Sequence, residues 1–220
     1  VVKRATWREA LVKRILLLVE GGEPAGADPA LREALLVFFR PLSDSLETIG
    51  WSLEISTIGS RFNAAEDYRL SLETNSADAV ALLIDSEEPI VDGLVEHLRL
   101  QGERSGKDWD LTGCCREELC YYMCRCAETW LSEDLVSLGR YYGDGFDADR
   151  LRDGQPSEEW SVEKVLNQLK AATRHSERGT YHKRNHTPGI FRTAQASVVM
   201  HLAHCKRLFT DLPLYLDTLI

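Results

Sequence analysis

Two places in the chain put carboxylates where an apolar run stops. Residues 79–84 are almost wholly apolar and lead into Asp85-Ser86-Glu87-Glu88. Earlier, "ILLLV" at 15–19 ends in Glu20-Gly21-Gly22. A strand that ends in acid is either surfacing into solvent or presenting ligands. Hard divalent cations such as Mg²⁺ take carboxylate oxygens and keep several waters. Side chains alternate along an extended segment, so Asp85 and Glu87 point to one side and Glu88 to the other. If the two strands are neighbours, Glu20, Asp85 and Glu87 converge as a metal set, and Glu88 is left to solvent. Gly21 and Gly22 let a backbone or a phosphate approach closely behind Glu20.

Other residues add to this chemistry. Glu128, in "AETW", is a further metal ligand or a helix-start acid favoured by the helix dipole. In "GTYHKRNH", Lys183 can bind a phosphate or steady developing negative charge, and His182 can shuttle a proton. Arg184 belongs to the same basic loop, and Arg61, after Gly59-Ser60, is a phosphate-contact candidate. The plainer reading of the loop is a solvated basic face.

The elements that must position these residues read as a strand–helix alternation. Strands are expected at 15–19, 52–59, 79–85 and 118–126. Helices are expected from Pro29, capped by Asp28 and ended by Pro41; over 63–74, capped by Asn63; over 91–100; over 132–143, capped by Ser132; over 161–173; and from about 190 to 208. Residues 144–160 and 179–189 read as loops. Strands this apolar are covered on both faces, which predicts a parallel, doubly wound α/β sheet. In such sheets ligands bind at the carboxyl ends of the strands.

The 220 residues are 44% hydrophobic and carry a net charge of −9. An acidic chain repels nucleic acid unless it has a basic patch or metal ions. The stretch from Lys164 to Arg192 is such a patch, with seven Lys and Arg against one acid, Glu177. No apolar run reaches the roughly 18–20 residues of a membrane span, so a soluble cytoplasmic protein with no membrane partner is expected. Five of the six cysteines crowd between Cys114 and Cys126. Their spacing suits neither a disulfide framework nor a zinc site, and no zinc is expected. Nor is "EGGE" a P-loop or a dinucleotide fingerprint.

Strand–Glu–Gly followed by strand–Asp–x–acid resembles the Toprim domain of topoisomerases, primases and OLD-type nucleases, through "LLLVEGG" and "LLIDSE". Toprim proteins carry Asp-x-Asp, where this chain has Glu87. The ordered set "ILLLVEGGE", "GSRFNAAEDY", "AVALLIDSE", "CAETWLSEDLVSLGRYYG", "VEKVLNQLKAAT" and "GTYHKRNH" spans about residues 15 to 209. It resembles an uncharacterised bacterial family of Toprim-like proteins found beside ABC-type or SMC-like ATPases in antiphage defence loci. That family commonly has a third glycine and an acid after its first Glu, where this chain has Glu23 and "PAGADP". The resemblance implies a Toprim-like (Rossmannoid), mostly parallel sheet over residues 11–145. A helical portion over 146–220 packs on it as one continuous domain. It also implies Mg²⁺- or Mn²⁺-dependent phosphodiester hydrolysis of DNA or RNA. Glu20 would be ligand or general base, and Asp85 and Glu87 would hold one or two ions. An ATPase would be the partner, with a homo-oligomer left open. The alternative is a non-catalytic subunit of that ATPase complex with an inert pocket.

Overall fold

The computed structural model describes residues 12–22, 28–90 and 93–220. Glu23, residues 24–27, residue 11 and the first two residues of the helix expected at 91–100 lie outside the described residues. Four strands, β1 (Lys13–Val19), β2 (Trp51–Thr57), β3 (Ala79–Asp85) and β4 (Cys120–Met123), form one sheet in the order β2-β1-β3-β4. All three pairings are parallel, so the expected α/β class holds. Parallel neighbours place the carboxyl ends of all four strands along one edge.

The period of two along each strand divides the core between two faces. Ile15, Leu17, Val19, Ala81, Leu83, Tyr121 and Met123 face one side. Leu16, Leu18, Val80, Leu82, Ile84, Cys120 and Tyr122 face the other. The second face is covered by α3 (Arg61–Glu73) and α4 (Leu94–Ser105) through Ala64, Ala65, Tyr68, Leu94, Val95 and Leu98. The first face takes α1 (Pro29–Phe38), α2 (Arg40–Thr48), α5 (Ala127–Leu131) and α6 (Leu135–Tyr142). It also takes the C-terminal helices α7 (Val162–Thr173), α8 (Lys183–Thr193), α9 (Ala196–Val199) and α10 (Ala203–Asp217). Val165, Leu169, Phe191 and Leu208 of these helices belong to the same continuous core as the sheet residues. Phe38 of α1 meets Phe191 of α8 edge-on, with ring centroids 5.2 Å apart.

Several local expectations are corrected. Pro41 does not end the first helical stretch; it sits at the start of a second helix, α2, where its missing N–H costs nothing. Asn63 is not a cap, because α3 begins two residues earlier at Arg61 behind Ser60. Ser132 closes α5, and Asp134 caps α6 by accepting from the Ser137 N–H. The 179–189 stretch is not all loop. From Lys183 it is helical, and Pro188 lies inside α8. The last helix expected at about 190–208 is instead the end of α8, the short α9 and α10. Within 144–160, two short 3₁₀ turns stand at Ala148–Leu151 and Ser157–Glu159. Among the described residues no helix is long and apolar enough to cross a membrane.

Candidate functional site

Glu20 follows β1 and Asp85 ends β3, and these two strands are adjacent in the sheet. The Asp85 backbone N–H donates to Glu20 Oε2 at 3.0 Å. Asp85 Oδ1 accepts from the Ala127 N–H at 2.9 Å, which ties β3 to the first turn of α5. One residue on, Glu128 is buried, and its Oε1 accepts from the Tyr181 hydroxyl at 2.6 Å. The Tyr181 oxygen is also 2.9 Å from Thr187 Oγ1. Lys183, at the start of α8, completes the group. Its Nζ is 3.5 Å from both Asp85 Oδ2 and Glu128 Oε2, so those oxygens are no more than twice that distance apart.

Asp85 and Glu128 therefore each have one oxygen held by a hydrogen-bond donor and the other toward Lys183, while Glu20 Oε2 takes two donors. Glu128 Oε2 is buried and has no hydrogen-bond partner. Burial pushes the Asp85 carboxyl well up, and the neighbouring Glu20 charge pushes it further. Burial also raises Glu20, against the opposing pull of Arg61. Lys183 is pulled down by desolvation, but Asp85 and Glu128 outweigh this and raise it above an ordinary lysine. Its side chain is 57% exposed, so the ammonium sits at the rim rather than the floor.

Arg61 lies on the far side of Glu20. Its Nε donates to Glu20 Oε2 at 3.3 Å, and another guanidinium nitrogen donates to Gln101 Oε1 at 3.1 Å. The Gln101 amide donates to the Ser86 carbonyl at 2.5 Å. Arg61 is buried in this network, and its role is to hold Glu20. It does not line the cleft. Glu87 does not continue the extended path of β3. Its φ of 55° breaks the extended geometry, and its N–H donates to the Arg125 carbonyl at 2.8 Å. The turn sends its side chain, 64% exposed, to an ion pair with Arg61 at 3.2 Å. Glu88 is solvated and pairs with Arg104.

A cleft of about 610 Å³ opens over Glu20, Gly21, Gly22 and Asp85 and is bordered by His182, Lys183 and Arg184. The two glycines do structural work there. Gly21 exchanges hydrogen bonds with Gly59 at 2.7 and 3.1 Å, joining the ends of β1 and β2. Gly22 has φ of 96°, and a Cβ on it would stand 2.8 Å from Asp28 Cβ. His182 is exposed; its backbone N–H donates to His186 Nδ1, which also meets the Tyr142 hydroxyl at 2.9 Å. Burial lowers the His186 pKa, and the neighbouring His182 and Arg178 charges lower it further.

Sequence reading missed Tyr181, Gln101 and Thr187. The order Tyr181-His182-Lys183 gave the one available signal, a tyrosine beside the basic pair. The basic segment is also less free than its composition suggests. Lys164 pairs with Asp153, Arg192 with Glu33, and Lys183 with the site acids.

The donor set suits a hard cation in kind: three carboxylates, each with one oxygen fixed, and one buried oxygen lacking a hydrogen bond. Among the described residues, no three Asp, Glu, His or Cys side chains stand ready as a closed ligand group. A divalent ion would compete with Lys183 for the same oxygens. Neither a family model, a curated protein nor a solved structure matches the chain.

Proposed function

We propose that the site is a divalent-metal-dependent phosphodiester hydrolase centre acting on nucleic acid. The observation that carries this reading is the convergence of Glu20, Asp85 and Glu128, from three separate segments, around the Lys183 ammonium at the strand ends. Two buried acids, Asp85 and Glu128, and the half-buried Glu20 gather at one cleft, although their mutual repulsion opposes folding. Glu20, Asp85 and Glu128 would hold the metal. When bound, Mg²⁺ or Mn²⁺ would supply a nucleophilic water and neutralise charge on the phosphate. The chain's own residues do the rest. Lys183 faces the incoming phosphate with a fixed positive charge, and Tyr181 and Ala127 hold Glu128 and Asp85 in orientation. His182 stands exposed at the rim, where it can take or give a proton to solvent. The order of motifs that resembles the Toprim-like defence family supports the same chemistry and extends it to an effector working with an ABC- or SMC-type ATPase.

The test is a nuclease assay with Mg²⁺ or Mn²⁺, alone and with such an ATPase. Wild type is expected to cleave, and Glu20→Gln and Asp85→Asn to lose cleavage. Equal activity of all three would remove the proposal. One observation favours a second reading, a partner-binding subunit with an inert pocket: Arg61 and Lys183 pair with the site acids and offset their charge. Stable co-elution with the ATPase, with no metal uptake in a titration, is the result this second reading requires.

A further inference from the structure

The charged end of the cleft accounts for only part of it. Beyond Glu20 and Lys183, the wall is built by α1, α7 and α8 and is apolar: Leu31, Leu35, Leu166, Pro188 and Phe191 line it. Hydrolysis of a bare phosphate linkage has no use for that surface. Polar groups border it as well. Asp28 caps α1 with Oδ1 alone. Among the described residues, the Ser60 hydroxyl makes no side-chain cap bond, and Lys170 is exposed and enters no ion pair.

We infer that the cleft takes a single unpaired nucleotide unit, with its phosphate toward Lys183 and its base against the apolar wall of α1, α7 and α8. This rests on the phosphodiester reading of the site and names its substrate class. Three observations converge on it. The volume, about 610 Å³, falls within the range of small-ligand sites. A base has an apolar face for Leu166 and Pro188, and a polar edge for Asp28, Ser60 and Lys170. An acyl chain would leave those three groups desolvated and unpaired. The charge of the cleft, finally, suits one unit rather than a duplex. Its cationic side chains are Lys170, Lys183 and Arg184, on a chain of net charge −9. Duplex binding needs a row of cations along successive phosphates, and the pairing of Lys164 and Arg192 with acids interrupts that row. An unpaired base reaches such a cleft at a strand end, in a loop, or by flipping from the stack.

The test is equilibrium binding in EDTA, where no cleavage intervenes. The probes are a nucleoside 5′-monophosphate, ribose 5-phosphate, inorganic phosphate and a short-chain phosphatidic acid. The nucleotide is expected to bind about tenfold more tightly than ribose 5-phosphate, the gain typical of one stacked base. Leu166→Ser, at a half-buried position packed against the core, is expected to narrow that gap while leaving phosphate binding nearly unchanged, with some lowering of the thermal midpoint. A short single strand should displace the nucleotide, and a blunt duplex of the same length should not. Equal affinity for nucleotide and ribose 5-phosphate, a lipid phosphate binding as well as the nucleotide, or equal displacement by duplex would each overturn the inference. Nucleotide binding without cleavage under any metal leaves the inference standing and removes the hydrolase reading. Cleavage without base preference does the reverse.

Discussion

The Tyr181 hydroxyl donates to Oε1 of Glu128 at 2.6 Å, and the Glu128 side chain is only 1% exposed. A carboxylate that deep is held in one orientation by a residue 53 positions away in the chain. Tyr181→Phe keeps the ring and removes only the donor. It is expected to cost about 1–3 kcal/mol, the desolvation penalty of an unmatched buried acceptor. Urea denaturation reads this directly. A loss of a few tenths would mean that Glu128 finds another donor.

Arg61 should behave as a structural cation. Removing one member of a buried pair strands the other, so Arg61→Met is expected to destabilise by about 3–5 kcal/mol. The double substitution with Glu20→Gln is expected to recover much of that loss, because the stranded charge is gone. A phosphate-binding role would instead weaken ligand affinity and leave the denaturation midpoint in place.

Asp85 and Glu20 set the pH dependence. Their folded pKa values lie above the ordinary 3.8 and 4.5. The sign follows: the contribution to stability is full below those ordinary values and is lost as pH rises through the folded ones. Ionisation of the two carboxyls opposes folding. Asp85→Asn is therefore expected to raise the thermal midpoint at pH 7 and to flatten its pH profile above about pH 4. A lowered midpoint would mean that the Lys183 pair outweighs the burial.

A divalent ion should reverse that balance. Mg²⁺ at a hundred times its dissociation constant is expected to stabilise the chain by about 2.7 kcal/mol. The gain should shrink as pH falls and protons compete for Asp85, and it should vanish in Asp85→Asn. Thermal melts with and without EDTA provide the measurement; an equal shift in the Asn variant would locate the ion elsewhere.

Gly22→Ala tests the turn after Glu20. The new Cβ would meet Asp28 at 2.8 Å in a backbone with φ of 96°. The expected cost is about 1–3 kcal/mol. The effect should come through the start of α1, where Asp28 is the cap, and a mutant of unchanged stability would show that this turn relaxes freely.

Much of this site was readable before any coordinates. Continuous apolar runs marked β1 and β3, and parallel pairing did what such runs require, placing Glu20 and Asp85 side by side. Lys183 and Glu128 were also found among the candidates. Glu87 was misplaced because the period-two argument assumes extended backbone, and a left-handed φ at Glu87 itself ends that assumption. Arg61 was read as a phosphate contact because nothing local announces its partner Gln101, 40 residues away. Tyr181 escaped for the same reason. The helix carrying Lys183 was hidden by Pro188, which local propensity counts as a breaker; packing of Ile190 and Phe191 into the core overrides it.

The pair formed by Asp85 and Lys183 spans 98 positions of sequence. During synthesis the strands bearing Glu20, Asp85 and the segment bearing Glu128 leave the ribosome well before α8 does. Until that helix docks, the acids have no ammonium between them and the cleft lacks the wall holding Phe191. The sheet and its row of acids can form early, but the charge that offsets those acids arrives only with a helix made about a hundred residues later.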